Sequence, residues 1–404
     1  MNFWEDLYSR DQPVIGMSPM DGVTDGPFRY MVAKYGRSLS KPSKSSEPGK
    51  PGSEGGVDVI FTEFVSVDGL HFAEGVKRER MLKEFIKARD LLSSSRIAVD
   101  PYSRNKIERE NGFTDLPAQA GLRINETYPY EVAQVFGNKP EFFVEAAKLI
   151  ESLGFDGVDI NMGCPAKNVS ENGCGAALIK MPKLAQEIIL ATKAATKLPV
   201  SVKTRIGVSS ASEMEEWMAA ICEVRPANIS LHGRTLKQLY QGSADWETIG
   251  RAAEIVHKNG LHILGNGDIV SLNEAKEKVA KYGVDGVLIG RAAEGNPEIF
   301  QGVDEPDYKQ RLSWAVEHAY VYEQVFKPQN PTPDDVRWFL PMRKHLAWYA
   351  HGFPGASDLR TALMKTTSAE EVVKVIESSF SRDKWWLQDC QEILVEIILI
   401  FNQS

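Results

Sequence analysis

Cysteine is scarce in this chain of 404 residues, with four thiols at Cys164, Cys174, Cys222 and Cys390. Their irregular spacing forms neither a metal-ligand pattern nor a disulfide framework, so no metal is expected and a reducing, cytoplasmic compartment is. Long hydrophobic runs are also missing. The most apolar stretch, Ile393–Phe401, is interrupted by Glu396 and is too short to span a bilayer. The opening MNFWEDLYSRDQPV is too acidic, and too short in apolar run, for a signal peptide. Positive charge is not in excess: 47 Lys and Arg stand against 55 Asp and Glu, a net charge of −8. The overall field therefore does not mark an anion-binding protein, and a nucleic-acid partner would need a local basic face. A GxGxxG fingerprint is absent too. The first strand-like run ends Ser18-Pro19-Met20-Asp21-Gly22, which argues against a doubly wound dinucleotide-binding sheet.

What the chain does contain is alternation. Apolar strand-like runs occur at Pro13–Ser18, Val57–Glu63, Tyr130–Phe136, Gly157–Asn161, Val200–Thr204, Asn228–His232, His262–Asn266 and Gly286–Ile289. Amphipathic helical patterns lie between most of them, at Gly26–Tyr35, Lys139–Leu153, Lys183–Thr196, Ala211–Val224, Trp246–Lys258 and Leu272–Tyr282. Eight strands alternating with helices over this length predict an α/β fold, a (β/α)8 TIM barrel. Residues 37–56, rich in Ser, Pro, Gly and Lys, and a second stretch near 88–125 interrupt the repeat. Each joins a helix to the next strand, which would put both on the N-terminal face, away from the active site. From residue 306 only helical patterns follow. The expected organisation is therefore a barrel domain, 1–305, and a C-terminal all-helical domain, 306–404. The latter carries Arg337, Arg343, Lys344, Arg360 and Lys365 among Trp338, Trp348 and Tyr349. Basic residues among aromatics suit RNA, although a helix-bundle core with a solvated charged face explains the same composition.

Function in a barrel sits where the strands end. Those ends carry Met20, Glu63, Gln134, Asn161 with Cys164, Lys203 with Arg205, His232 with Arg234, Asn266 with Asp268, and Gly290 with Arg291. Strands buried on both faces should read as apolar runs, so polar ends on one strand after another point to a ligand with many polar atoms. The thiol is singled out by Gly163-Cys164-Pro165 at the end of Val158-Asp159-Ile160-Asn161. Glycine permits the tight turn and proline fixes the exit, a pose suited to giving a proton to a substrate. A buried strand-end cysteine is the commoner reading of a lone thiol. The glycines of Gly265-Asn266-Gly267-Asp268 and Gly290-Arg291 offer backbone N–H groups where barrels bind phosphate. Lys203 and Gln134, deeper in the mouth, suit the pyrimidine edge of a flavin. Phosphate and ring together suggest FMN, though sugar-phosphate isomerases share the phosphate site.

The motifs SPMDGVTDGPFR (18–29), TEFVSVDGL (62–70), AQVFG (133–137), DINMGCPAKNV (159–169), VKTRIG (202–207), LHGRTLKQLYQGSADW (231–246), GNGDI (265–269) and IGRAAEGNPEIF (289–300) together resemble the tRNA-dihydrouridine synthases. NMGCPAKNV is closest to the B-type bacterial branch, and PMRKHLAWY (341–349) continues the likeness more weakly. The resemblance implies an FMN enzyme that reduces uridine in tRNA, with NADPH, or NADH, as electron source. Hydride would pass to uracil C6 and a proton from Cys164 to C5. It further implies Asn161 on the base, and Arg205 and Arg234 near the mouth, where they could serve the RNA substrate or the flavin. Pro19, Met20, Gln134, Lys203 and His232 would lie on the flavin, and Asn266, Gly267, Asp268, Gly290 and Arg291 around its distal and phosphate end. Cys174 departs from the family, which more often has a small residue there. A monomer that binds tRNA is expected, with no membrane association.

Two rivals remain open. A dihydroorotate dehydrogenase-like enzyme would share FMN and a pyrimidine, but the basic helical region and HGRT speak against it. A tRNA-binding protein without catalysis would not need Cys164, Lys203 and His232 together.

Overall fold

The computed structural model describes residues 2–37, 56–93, 128–328 and 335–380. Among them, eight parallel strands close into a barrel: β1 (Val14–Met17), β2 (Val59–Phe61), β3 (Tyr130–Phe136), β4 (Gly157–Met162), β5 (Val200–Arg205), β6 (Ile229–His232), β7 (Ile263–Asn266) and β8 (Gly286–Ile289). Each pairs with its neighbour in sequence, and β1 against β8 (Val14↔Gly286) closes the ring. That closure needs a glycine: a Cβ on Gly286 would lie 2.1 Å from the Val14 carbonyl oxygen. The strands are buried along their length, as expected when helices cover a parallel sheet. The barrel expectation is met. The second strand is shorter than expected, breaking after Phe61 and resuming as Val65–Ser66 beside β3.

The helices follow local chemistry. Trp246–Lys258 starts at Asp245, whose side chain accepts from the Thr248 amide. Leu272–Tyr282 starts at Ser271 and stops at Gly283, whose φ of 66° ends the helix in the left-handed region. Patterning overlooked the six-residue helix Phe3–Tyr8, closed by an Asn2–Glu5 capping box. Its Phe3, Trp4 and Leu7 pack against Val14, Val59, Phe61, Val132, Leu264 and Leu288. Val14 and Val59 stand at strand starts and Leu264 one residue in, so the helix covers the floor of the barrel. Arg29 and Glu131, both fully buried, pair at 3.0 Å on the barrel wall.

The described residues fall into two compact units, one of 2–37, 56–87 and 129–305, the other of 88–93, 128, 306–328 and 335–380. The second is helical. Tyr308–Phe326 is its central helix, buried through Leu312, Trp314, Ala315, Ala319 and Tyr322, and it packs on Met342–Tyr349 and Ala369–Ser379. The expected helix from Pro333 begins at Met342 instead. Pro341 disfavours helical backbone in the residue before it, and 337–341 are turns. The stretch expected as an insertion at 88–125 opens with helix Ala88–Ser93, which groups with the helical unit. The remainder of that stretch, the stretch 37–56 apart from its end residues, the helix expected at Asp389–Phe401 and Cys390 lie outside the described residues.

Candidate active site

The turn after strand β4 carries the thiol. Asn161 is the strand's penultimate residue, and its Oδ1 accepts the amide hydrogens of Gly163, at 3.0 Å, and Cys164, at 2.8 Å. One side chain thus folds the turn back on the strand that produced it. Arg205 holds the turn from the other side, donating from Nε to the Gly163 carbonyl oxygen at 2.7 Å. Cys164 is 7% exposed, in a cluster with Val169 and Cys174 that Phe64 and Phe136 flank. Burial pushes its thiol above the ordinary value; Asp21 adds to this, and Arg205 and Lys203 pull back. A thiol so placed is a proton holder near neutral pH, not a thiolate nucleophile. Cys174 lies in the same cluster with its thiol pushed up to about 11 by burial, donating to the Asn172 carbonyl at 3.6 Å.

Behind the turn runs a buried polar row. Asn161 Nδ2 donates to Gln134 Oε1 at 2.9 Å. Gln134 Nε2 donates to Asp159 Oδ2 at 2.7 Å, and Ser201 Oγ donates to Asp159 Oδ1 at 2.6 Å. Gln134, Asp159 and Ser201 are fully buried. Sequence reasoning found Gln134 and Asn161 and passed over Asp159. The signal was present: an acid inside a strand buried on both faces, two residues before Asn161 and so on the same side of the strand.

Lys203, half-buried at the end of β5, donates to Asn266 Oδ1 at 3.0 Å, and Asn266 Nδ2 is fixed in turn by the Leu288 carbonyl at 2.9 Å. Burial first, then the charge of Arg205, lowers its ammonium to about 8. His232 lies 3.3 Å from Arg234 Nη1 through Nε2. Arginine only donates, so Nε2 accepts and Nδ1 carries the proton. Burial, with Lys203, Arg205, Arg234 and Arg291 around it, drives His232 well below the usual range and keeps it neutral.

Asp268 organises the loop after β7. Its carboxylate takes Arg234 at 2.6 Å, Arg291 at 2.8 Å and the Ala244 amide at 2.8 Å. Burial raises its pKa, but these partners outweigh that and hold it below the usual carboxylate range. Gly267 must be glycine: at φ 133° a Cβ would meet the Ala244 Cβ at 2.5 Å. A Cβ on Gly290 would lie 3.4 Å from Met20 Sδ, so the ends of β8 and β1 meet. Pro19 and Met20 are partly exposed there, and the Arg291 side chain is 63% exposed.

The residues expected to serve the site gather at one end of the barrel. Arg205 and Arg234, expected near the mouth for substrate or flavin, are turned into the protein. Both are 3% exposed; all three nitrogens of the Arg234 guanidinium are hydrogen-bonded, and Nε and Nη1 of Arg205. Arg205 also holds the carbonyls of Thr235 and Leu239, and Arg234 those of Gln241 and Gly242. They fasten the loop that follows β6. A cation at a strand end announces a partner in the sequence but not which one.

The model of the Dihydrouridine synthase (Dus) family matches residues 16–384. A probable tRNA-dihydrouridine synthase of Staphylococcus aureus (strain COL) is 32% identical over 380 residues, covering 93% of this chain and 95% of the relative. Probable tRNA-dihydrouridine synthase 2 of Bacillus subtilis (strain 168) is 32% identical over 380 residues, covering 93% and 96%. The chain belongs to the dihydrouridine synthase family.

Proposed function

We propose that this protein reduces uridine in tRNA to 5,6-dihydrouridine with FMN, that NADPH or NADH is the electron source, and that Cys164 supplies the proton. Family membership makes it a flavin-dependent oxidoreductase, a tRNA-dihydrouridine synthase; the roles of individual residues are our reading. One observation carries that reading. A protonated thiol is held in a fixed turn at the barrel end that also bears a lysine ammonium with donors to spare.

The donor set fits FMN. Of the three N–H donors on Lys203, Asn266 takes one among the described residues, and a half-buried ammonium favours an anionic neighbour. His232 Nδ1–H and the second amide hydrogen of Gln134 add neutral donors. Arg291, held at one nitrogen by Asp268, has others for a phosphate, and Gly267 and Gly290 leave the backbone bare beside it. The carboxylate of Asp268 would repel a phosphate; its part is to hold the two arginines. Asn266 orients Lys203, and Pro19 and Met20 offer an apolar edge.

When bound, FMN supplies the hydride that reaches uracil C6. Cys164 holds the proton for C5 and gives it up as a general acid. Asn161 has both Oδ1 lone pairs and one amide hydrogen committed, so its remaining N–H meets a carbonyl oxygen of the base. Arg205 and Arg234 hold the surrounding loop. A base inside folded RNA must be extruded to reach this depth, which gives the helical domain, 306–404, the task of holding the tRNA body while the barrel, 1–305, does the chemistry.

The test is direct. The purified protein carries FMN, and with NADPH it forms dihydrouridine in tRNA that lacks it. Mapping dihydrouridine in cells with and without the protein identifies the position. A protein that takes up no FMN overturns the cofactor assignment, and tRNA left unmodified by the flavin-loaded enzyme overturns the substrate.

A further inference from the structure

A row of four hydrogen-bonded groups ends on the backbone of the proton donor, and only one of them has a fixed sense. Asp159 is a carboxylate near neutral pH. Burial lifts it to about 6, against hydrogen bonds from Ser201 and Gln134 and the charge of Lys203. A carboxylate only accepts and the turn amides of Gly163 and Cys164 only donate, so the two ends of the row hold the side-chain amides of Gln134 and Asn161 in one sense. With the acid in place, Gln134 must turn Nε2 toward it, at 2.7 Å, and Oε1 toward Asn161. Asn161 must then point Nδ2 at Gln134, at 2.9 Å, and Oδ1 at the amides of Gly163 and Cys164. In the reverse sense Asn161 would present N–H to N–H at the turn.

The geometry points to Asp159 as a positioning residue for catalysis: it turns Gln134 so that Oε1 anchors Asn161, and so braces the side chain that holds the Gly163–Cys164 turn. This rests on the reading of Cys164 as proton donor. Asp159 itself touches neither flavin nor base. The same orientation leaves Asn161 a donor for the base, so the acid braces two contacts to the substrate at once.

Three variants test it in the FMN-loaded enzyme. Asp159→Leu keeps the branched shape, at a larger volume, and removes the acceptor. At matched flavin content it lowers kcat on tRNA roughly tenfold or more, as an unpaired buried donor does. Asp159→Asn is accommodated, because the Ser201 hydroxyl can rotate to accept the new amide and donate to Val158 O, 3.5 Å away; its kcat stays within about threefold of wild type. Asp159→Asn with Ser201→Ala removes that accommodation, and the loss exceeds the product of the two single losses. Asp159→Leu at wild-type kcat overturns the proposal. So does Asp159→Asn as slow as Asp159→Leu, which would make the charge and not the orientation decisive, and so does a multiplicative double variant. The two Asn-based variants decide the matter if Asp159→Leu does not fold. Cys164→Ala separates the readings: if it retains turnover, the proton-donor reading fails whatever Asp159 does.

Discussion

Arg205 donates to the carbonyl oxygen of Gly163, the residue before the thiol, at 2.7 Å. Its Nη1 reaches the Thr235 and Leu239 carbonyls, each at 3.1 Å. A single buried side chain therefore ties the Cys164 turn to the loop after β6. Lysine has the charge but not the planar fork that reaches three acceptors. Arg205→Lys is expected to lower kcat on tRNA about tenfold while FMN stays bound. Steady-state kinetics at matched flavin content check this, and an unchanged kcat would show that the tie is dispensable.

Cys164→Ala should bind FMN and accept electrons from NADPH, yet lose at least about a hundredfold in turnover on tRNA, the scale of a lost general acid. The pH profile carries a sign. The active thiol is protonated and its pKa is raised by burial. The wild-type rate therefore holds through neutral and mildly alkaline pH and falls only above the ordinary thiol value. A descending limb already complete at neutral pH would mean that the thiolate is not the inactive form.

Lys203, lowered to about 8 from its ordinary 10.5, couples flavin binding to protons. Below about 8 it is an ammonium with or without ligand. Between there and its ordinary value the free enzyme has lost the proton, while an anionic ligand favours it, so binding takes one up. FMN affinity should be level below pH 8 and fall by up to about tenfold per pH unit above it. Lys203→Met should bind more weakly and without that slope. Flavin fluorescence titrations across this range test both statements.

Much of this was legible in the sequence, for physical reasons. Strands buried on both faces are apolar runs whatever surrounds them, so Gly157–Asn161 was read to within one residue of Gly157–Met162. Trp246–Lys258 was read at its exact bounds because Asp245 caps it and its apolar stripe is regular. The strand-end rule then assembled Cys164, Lys203, His232 and Asn266. The helix Phe3–Tyr8 is too short to show a period. The partners of Arg205 were not legible, because they are backbone carbonyls and no residue type announces a carbonyl that needs a donor. Asp159 was hidden by the strand motif that contains it.

The buried pair Arg29–Glu131 should matter to stability and not to chemistry. Arg29 also donates to the carbonyls of Thr24, Glu84 and Ile86. Arg29→Met strips donors from all of these and removes the Arg29–Glu131 attraction from a buried site, a loss of about 3–5 kcal/mol. Denaturant unfolding with FMN present measures it. A midpoint equal to wild type would mean that the pair's desolvation cancels its attraction.

The helical unit divides its cations into two kinds. Arg343 donates to the carbonyls of Thr366, at 2.9 Å, and Lys365, at 3.2 Å, and Arg360 to that of Ala350 at 3.3 Å. They hold helix ends, so replacing them weakens the unit itself and says little about RNA. Arg337 and Lys365 are exposed and can serve as phosphate contacts. Arg337→Glu with Lys365→Glu should raise KM for tRNA about tenfold near physiological salt and leave NADPH oxidation by the flavin unchanged. Each phosphate that is no longer neutralised lowers the slope of log affinity against log salt by roughly one. The double variant should therefore bind tRNA with a slope shallower by about two. An unchanged slope would return the Arg337 and Lys365 side chains to an ordinary solvated face, and the tRNA body would have to be held elsewhere.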